Sequence, residues 1–510
     1  MPEQVKRVAV IGAGPAGAIA VDALVKEQVF STIRVFERKP ITGGTWVFNP
    51  EQSPKIPSLR DLVDGVADVP VTIPSQFPAE TPKSEAVNHH HHRYTDTAVW
   101  DHLHSNIPPS VMSYTQEPFP NIISEQSLSR FGPDAPFRHR KVIRDWVESL
   151  FVQAGHTKLI EFSTTVELAE KRGDEWVLTL RKEIPGRDKD IWWQETFDAL
   201  VVASGHYYVP FIPTIPGLIE YDQRFPGRIH HSKHYRSPEL FRDKVSNACL
   251  SLSILQYQLT EGILQRVVVV GGSISAIDVL QDIKDVVKQP VYASLRQPLP
   301  TVGWVPFTHP RISIKKEIIR FDSDSGRIYF NDGTSLTDVD HIVFATGYNF
   351  TLPFLPNIKI PNRRIPGLYL HVFSIADPTL IFIGAVTGGF TFRAFEYQAV
   401  AAARVLAGRA ALPSKDEMLQ WERDRLKERG EGKPFYTLAP DWEAYFEDLR
   451  AIAGDPAPGT TGRVLPKFDK QWLKTFEEVL GIRLNWWKSE TERAEAEAKG
   501  NGGERLKARL

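Results

Sequence analysis

Short apolar runs that end in glycine, each followed by residues at helical spacing, organise much of this chain. Residues 8–11 form one such run, residues 16–26 have helical periodicity, and residues 33–36 form the next apolar run. This order predicts a strand, a tight turn, a helix and a parallel strand, which is the βαβ unit of an open sheet. A second strand–turn–helix begins at Arg266, and another apolar strand covers residues 342–345. The pattern therefore predicts an α/β fold with two Rossmann-like units.

The remaining pattern predicts helices over residues 142–154 and 396–406 and strands over residues 175–181 and 200–203. Residues 49–96 are rich in Pro, Ser and Asp and have little periodicity, which predicts a long surface loop. Four histidines at 89–92 lie in that loop. Because no Asp, Glu or Cys accompanies them at ligand spacing, we interpret them as a solvated patch and expect no metal site. The charged segment from Lys488 predicts a frayed tail.

The composition is that of an ordinary globular protein, with 42% hydrophobic and 24% charged residues among 510. Basic residues number 61 and acidic residues 62, so the net charge of −1 gives no support for nucleic acid or an anionic membrane as the main partner. No apolar run is long enough to cross a membrane, and a strand pattern begins almost at the first residue. We therefore expect a cytoplasmic protein without a membrane anchor.

The first glycine-rich turn matches the dinucleotide-binding fingerprint and consists of Gly12, Ala13, Gly14, Pro15, Ala16 and Gly17. It follows a strand, opens a helix and has an acid, Glu37, 20 residues after its last glycine. The three glycines permit a tight turn, the approach of a pyrophosphate and close packing of helix on strand, while the carboxylate can bind a ribose hydroxyl. An ordinary glycine turn in an α/β core is the alternative.

A second, more degenerate turn follows the strand at residues 267–270 and includes Gly271, Ser273, Ser275 and Ala276. The residue 20 positions after Ala276 is Arg296, which can pair with a 2′-phosphate that an acid would repel. The alternative for Arg296 is an ordinary surface arginine. The first turn therefore favours a dinucleotide with a free 2′-hydroxyl, and the second favours NADPH.

One chain with both sites is typical of a flavoprotein that takes hydride from NADPH, because protein side chains transfer hydride poorly and flavin transfers it well. We therefore expect FAD at the first site and NADPH at the second. A pyridine-nucleotide disulfide reductase shares this layout but needs a redox cysteine pair. The single cysteine of this chain, Cys249, cannot supply one.

Further motifs resemble those of the flavin-containing monooxygenases and occur in that family's order. The flavin-loop motif is matched by Gly43, Gly44, Thr45 and Trp46. The family's active-site segment is matched by residues 103–108, with Ser105 in place of the usual threonine. The signature F-x-G-x-x-x-H-x-x-x-Y/F is matched by Phe225, Gly227, His231 and Tyr235. Residues 203–206 and 345–348 resemble the two crossings between the family's domains.

The resemblance implies that NADPH reduces FAD and that dioxygen then forms a flavin hydroperoxide, which oxygenates a nitrogen or sulfur atom of a small molecule. It places Ser105 and Asn106 at the flavin, with Asn106 as the catalytic residue. A loop-capping role is the alternative for Asn106. The resemblance assigns His231 to the geometry of the domain interface and the cofactor, with a packed structural histidine as the alternative.

The signature also separates two kinds of oxygenation. The related Baeyer–Villiger monooxygenases end their signature in Trp, so Tyr235 favours oxygenation of a heteroatom. Oxygenation of a ketone, or a catalytically inactive, NADPH-oxidase-like flavoprotein, stays open. The resemblance divides the chain into an FAD-binding domain over residues 1–206 and 346–487, with an NADPH-binding domain over 207–345 inserted between its parts, and a charged tail over 488–510.

Residues 245–265 interrupt the junction that the family shows before its NADPH strand, since without them Lys244 would run directly into Arg266. One interpretation is a surface insertion that contains a helix, because four apolar residues have near-helical spacing: Leu252, Leu255, Leu259 and Ile263. The other is a retained intron. A segment of 21 residues preserves the reading frame. Val245 and Ser246 can be encoded by a splice-donor sequence. The codons for residues 259–260 can contain a branch point, and the codon for Gln265 can be an acceptor. The intron hypothesis predicts that this apolar face is partly exposed.

Overall fold

The computed structural model describes residues 5–51, 56–83, 94–134, 136–242 and 264–507, with side chains described as far as residue 499. Its strands are, in chain order, β1 Arg7–Ile11, β2 Thr32–Phe36, β3 Ala79–Pro82, β4 Ile160–Glu161, β5 Thr164–Arg172, β6 Glu175–Lys182, β7 Lys189–Phe197, β8 Ala199–Val202, β9 Val209–Pro210, β10 Ile229–His231, β11 Val267–Val270, β12 Val291–Ser294, β13 Ile312–Lys315, β14 Ile318–Asp322, β15 Arg327–Phe330, β16 Ser335–Leu336, β17 His341–Phe344, β18 Tyr348–Asn349, β19 Leu368–Tyr369, β20 Phe373–Ser374 and β21 Leu380–Phe382.

The α-helices are, in chain order, α1 Pro15–Lys26, α2 Leu59–Asp64, α3 Pro109–Met112, α4 Glu125–Phe131, α5 Arg140–Gln153, α6 Leu218–Arg224, α7 Ile274–Ile283, α8 Thr391–Leu406, α9 Lys415–Arg429, α10 Lys433–Tyr436, α11 Trp442–Ala453 and α12 Lys470–Lys507. The helices predicted over residues 142–154 and 396–406 correspond to α5 and α8, and α8 begins before its predicted start. The strands predicted over residues 175–181 and 200–203 correspond to β6 and β8.

The first sheet has seven strands in the order β19-β20-β21-β8-β1-β2-β4. Its central strand β1 is parallel to β2 and to β8, so that Val8 pairs with Ile33 on one side and with Ala199 on the other. Helices α1 and α8 pack against each other in the core that covers this sheet. Residues 8–11 of β1 and all of β8 are apolar and buried, because both faces of a parallel sheet are covered.

The second sheet has five parallel strands in the order β10-β17-β11-β12-β13. All five lie in the chain between β8 and β21, which are neighbours in the first sheet. One Rossmann-like unit is therefore inserted into another, as predicted. At the two crossings (residues 203–206 and 345–348) the chain passes between the units, and β9 pairs there with β18, with Tyr348 opposite Pro210.

The expectation of a long surface loop over residues 49–96 is wrong for part of that segment. It contains helix α2, whose Leu62 is buried, and strand β3, which pairs with β7 at the edge of a four-stranded sheet. The Trp192 indole N–H donates to Thr81 Oγ1 at 2.8 Å. These elements are too short to show a clear periodicity in the sequence. Strand β3 forms because it pairs with β7. The histidines at 89–92 lie outside the described residues.

The expectation of a frayed tail from Lys488 is also wrong over the residues whose side chains are described. Helix α12 runs through that position without a break, and Trp487 is buried in the core of the inserted unit. Ala494 is buried too. The segment is rich in Ala, Glu, Lys and Arg, which are good helix formers, so its high charge marks a solvated helix face.

Most of the segment 245–265 lies outside the described residues, including the predicted apolar face at 252, 255, 259 and 263. Its flanks are described. Arg242 and Leu264 form an antiparallel bridge, so the two ends of the segment meet. Gln265 belongs to the fold, because its carbonyl accepts from the Lys288 N–H at 2.9 Å and its side chain contacts His341. The segment therefore leaves and re-enters the inserted unit at one place.

Because its ends meet, we expect the protein to tolerate removal of the segment. Deletion of residues 245–263 leaves Asp243 and Lys244 as a two-residue connection between the bridged residues and keeps Gln265. Deletion of residues 245–265 also removes the contacts of Gln265. We expect both variants to fold and to bind NADPH, with the shorter deletion at least as stable in thermal unfolding. Failure of both to fold would show that the segment is a structural element and would contradict the intron hypothesis.

Candidate functional site

The turn between β1 and α1 is packed so closely that Gly12 and Gly17 have no room for a side chain. Gly12 has φ +104°, and a Cβ there would lie 2.7 Å from the Ala203 carbonyl oxygen. A Cβ on Gly17 would lie 2.0 Å from the carbonyl oxygen of Gly12, and one on Gly14 would lie 3.2 Å from Gly44 Cα. The contacts at Gly12 and Gly17 are inside van der Waals range and the one at Gly14 is tight, so glycine here keeps a backbone surface that a pyrophosphate can approach.

Glu37 lies at the carboxyl end of β2 and is buried. One of its carboxylate oxygens accepts from the Ala13 N–H at 2.7 Å and the other from the Lys39 N–H at 2.9 Å. The side chain also lines a cavity together with Gly12, Arg38 and Ser204. Because each carboxylate oxygen can accept more than one hydrogen bond, Glu37 can also accept from a ribose hydroxyl in that cavity.

The predicted flavin-loop motif packs directly on this turn. The Gly43 N–H donates to the Ala13 carbonyl at 3.0 Å, and Gly44, Thr45 and Trp46 follow as a single 3₁₀ turn. The Trp46 ring contacts Phe392 edge to face, with 6.5 Å between centroids. The glycine turn and the flavin-loop motif are well separated in the sequence, yet they contact each other in the fold. The residues present therefore fit the ADP portion of FAD, its pyrophosphate and adenosine ribose.

The packing around the second turn shows which positions of its degenerate fingerprint require glycine. Gly271 has φ +141°, and a Cβ there would lie 2.5 Å from the Ala345 carbonyl oxygen, so this position requires glycine. Ala276, in the third glycine slot, is fully buried in α7, so its methyl group is accommodated there. Ser273 precedes α7 and makes no side-chain capping bond. Its hydroxyl, like that of half-buried Ser275, is therefore available near the helix N-terminus.

Arg296 follows β12 and lies beside this second turn. The Leu299 N–H donates to the Gly272 carbonyl at 2.8 Å, which holds the intervening residues against the turn. The Arg296 side chain is 84% exposed, and its Nε lies 4.0 Å from a Glu317 carboxylate oxygen. So exposed a pair is weak. The guanidinium can therefore turn to a 2′-phosphate at small cost.

Two of the signature residues, His231 and Tyr235, lie at the junction of the two units. His231 is fully buried, its Nε2 donates to the Gly347 carbonyl at 3.0 Å, and its Nδ1 accepts from the Lys233 N–H. Burial lowers the pKa of His231 to about 3, so the ring is neutral. This packing at the second crossing suits the interface role predicted for it. Phe225 packs on Gly326, and Gly227 has φ +83°.

The segment that holds Asn106 is fixed just before that residue. The Ser105 N–H donates to the Arg138 carbonyl at 2.8 Å, and the Ser105 hydroxyl accepts from the Arg138 N–H at 3.0 Å. Ser105 is also buried, so these two hydrogen bonds hold it firmly against Arg138. Asn106 is exposed, and its carboxamide has no hydrogen-bond partner in the described ranges. It makes no loop-capping bond there, so the amide is free for a ligand.

Sequence reasoning did not find the carboxylate of Asp282 in α7, which lies 2.6 Å from the Nε2 atom of His102. His102 lies one residue before the predicted active-site segment, and Asp282 follows the second fingerprint in its helix. No spacing in the sequence connects them, because their contact crosses the boundary between the units. Only the tertiary structure brings them together.

None of the helices in the described residues is long and apolar enough to span a membrane. Comparison with known families gives two matches. A family described as flavin-binding monooxygenase-like matches residues 97–249 and 306–457. A family described as FAD-NAD(P)-binding matches residues 9–57, which contain the first fingerprint, Glu37 and the flavin-loop motif.

Individual relatives agree with these matches. The chain is 28% identical to flavin-containing monooxygenase ustF2 of Aspergillus flavus, over 93% of this chain and 97% of that one. It is 31% identical to flavin-containing monooxygenase FMO GS-OX5 of Arabidopsis thaliana, over 81% of this chain and 76% of that one. The solved S-allyl-L-cysteine S-oxygenase of Allium sativum has the same fold, with a TM-score of 0.69, 24% identity and coverage of 98% and 99%.

The position of Arg296 leads to a prediction on cofactor choice. We expect Arg296→Ala to weaken NADPH binding by roughly 1.5–3 kcal/mol, the contribution of one hydrogen bond to a charged group, and to leave NADH binding unchanged. Dissociation constants for both nucleotides measure the effect. Arg327→Ala removes an exposed arginine elsewhere in the inserted unit and serves as the control. Equal losses for NADH and NADPH would contradict the assignment.

Proposed function

This chain belongs to the flavin-binding monooxygenase-like family, and we propose that it oxygenates a nitrogen or sulfur atom of a small molecule. It is a flavin monooxygenase, an enzyme that uses FAD and NADPH. When bound, these cofactors supply the hydride and the activation of dioxygen. The protein's own contribution is to bind both dinucleotides at the junction of its two units and to orient a substrate there.

The proposal is carried by the free carboxamide of Asn106, beside the fixed Ser105. A neutral amide can donate and accept hydrogen bonds at once without adding an acidic proton to the site. It can therefore hold a polar group in place by donating from its nitrogen and accepting at its oxygen. The neighbouring imidazole of His104 is neutral as well, because burial lowers its pKa to about 4. Neither of these side chains supplies a proton near neutral pH, which suits a reaction that ends in transfer of oxygen rather than release of peroxide.

The choice of a heteroatom over a ketone rests on Tyr235, the last residue of the signature. Its ring is buried against Trp100, edge to face with 5.3 Å between centroids, and its hydroxyl donates to an Asp282 carboxylate oxygen at 3.3 Å. Trp at this position is the mark of the Baeyer–Villiger relatives. Oxygenation of a ketone is therefore the second candidate, and an inactive flavoprotein that only consumes NADPH is the third.

A substrate panel separates these candidates. We expect purified protein to carry FAD and to consume NADPH faster with nucleophilic amines, thiols or sulfides than with cyclic ketones, because the proposed oxygen acceptor is a lone pair. Product analysis by mass spectrometry, with a gain of one oxygen atom, is the measurement. Ester products from ketones would favour the second candidate, and NADPH consumption with peroxide alone would favour the third.

The role of Asn106 is tested by its replacement. We expect Asn106→Ala to retain FAD and to consume NADPH, while the ratio of hydrogen peroxide to oxygenated product rises roughly tenfold or more from the loss of one amide contact. The measurement is peroxide and product per NADPH. Asn331→Ala, an exposed asparagine in the inserted unit, is the matched control. An unchanged ratio would remove Asn106 from the catalytic machinery.

A further inference from the structure

The carboxylate of Asp282 joins three parts of the chain that the sequence keeps apart. Its Oδ2 lies 2.6 Å from His102 Nε2 and accepts from the Tyr235 hydroxyl at 3.3 Å, while its Oδ1 accepts from Arg130 Nη2 at 3.0 Å. The Asp282 side chain is only 9% exposed. A buried carboxylate with three partners is costly to disrupt, because any partner that is removed leaves the others incompletely paired.

The partners of Asp282 belong to both units. Asp282 is in α7, the helix that follows the NADPH fingerprint, and Tyr235 ends the signature. Arg130 is in α4 of the first unit, and His102 lies shortly before Asn106. The carboxylate therefore connects the helix of one dinucleotide site to the segment that presents the catalytic amide at the other.

Asp282 is held in its ionised form, which strengthens its hydrogen bonds with His102 and Arg130. Burial alone would raise its pKa, but the hydrogen bond from His102 and the positive charge of Arg130 hold the pKa below its ordinary value. An ionised carboxylate only accepts hydrogen bonds, so His102 must donate from Nε2. One turn earlier in the same helix, burial raises the pKa of Asp278, which pairs with Arg483 of α12. The two carboxylates thus have separate partners.

The connection to Asn106 runs through a short, well-bonded stretch of backbone. The His102 carbonyl accepts from His104 Nδ1 at 2.8 Å, and Ser105 is bonded to Arg138. Asn106 itself is exposed and has no side-chain partner among the described residues, so the backbone before it sets the position from which the amide extends. A shift of His102 relative to α7 would therefore move the amide relative to the NADPH site.

We propose that Asp282 is a positioning residue that sets the Asn106 segment against the NADPH-binding helix, so that substrate oxygenation stays coupled to NADPH consumption. This inference rests on the role of Asn106 in the proposed function. Asp282 acts through His102 and does not itself touch substrate. Tyr235, the last residue of the signature, supplies one of the hydrogen bonds that the Asp282 carboxylate accepts.

The test compares two isosteric replacements in one helix. We expect Asp282→Asn to raise the ratio of hydrogen peroxide to oxygenated product roughly tenfold, from the loss of charge-assisted bonds, with FAD content unchanged. Asp278→Asn removes the neighbouring carboxylate and should leave the ratio as it is in the unmodified protein. His102→Ala changes a partly exposed side chain, keeps the test open if Asp282→Asn folds poorly, and should act in the same direction.

Two double variants decide whether Asp282 acts as proposed. If Asp282 works through Asn106, the variant with Asn106→Ala and Asp282→Asn should be no more uncoupled than Asn106→Ala alone. Thermal unfolding of His102→Ala, Asp282→Asn and their combination should show non-additive losses without any cofactor turnover. An equal effect of Asp278→Asn, or multiplied uncoupling in the first double variant, would overturn the proposal. If Asn106→Ala uncouples and Asp282→Asn does not, this inference fails while the proposed function stands.

Discussion

The same close backbone contact is made twice in this protein, and the arrangement of both cofactor sites depends on it. In each unit the first fingerprint glycine lies against the carbonyl oxygen of an alanine that begins a crossing: Gly12 against Ala203 and Gly271 against Ala345. Neither position has room for a Cβ. The carboxyl ends of neighbouring parallel strands therefore meet at the helix N-terminus, where a dinucleotide phosphate is best accommodated. The chain leaves each sheet at that same point, so both sites lie next to the junction of the units.

The junction is then held by polar contacts that are buried and specific. His231 donates to the Gly347 carbonyl at the second crossing, and Asp282 joins α7 to His102 and Arg130. Apolar packing alone permits two surfaces to slide over each other, whereas a buried charge or imidazole has few positions in which its bonds are satisfied. These contacts therefore fix the relative position of the two units more narrowly than packing would.

The first unit is completed by residues that follow the inserted unit in the sequence. Arg463, near the end of that returning part, is fully buried and pairs with Asp22 of α1 at 2.5 Å, with Glu396 of α8 at 2.6 Å, and with Glu117. Arg404 pairs with Glu27 in the same core. Removal of one partner from a buried pair of this kind costs about 3–5 kcal/mol. These pairs thus require segments that are hundreds of residues apart to come together, because any one of them left unpaired would be a buried charge.

The sequence by itself determined the two fingerprints, Glu37 and Arg296 at their matching offsets, and the α/β fold, because each rests on local rules of turn geometry, strand pattern and charge. By resemblance it also predicts that the Asn106 segment lies at the active site. The tertiary structure alone decided the rest: that β3 and α2 form within residues 49–96, that α12 continues through Lys488 against the inserted unit, and that Asp282 meets His102. Short strands, helix docking and ion pairs between units depend on neighbours distant in the chain, and a one-dimensional pattern contains no distance between such residues.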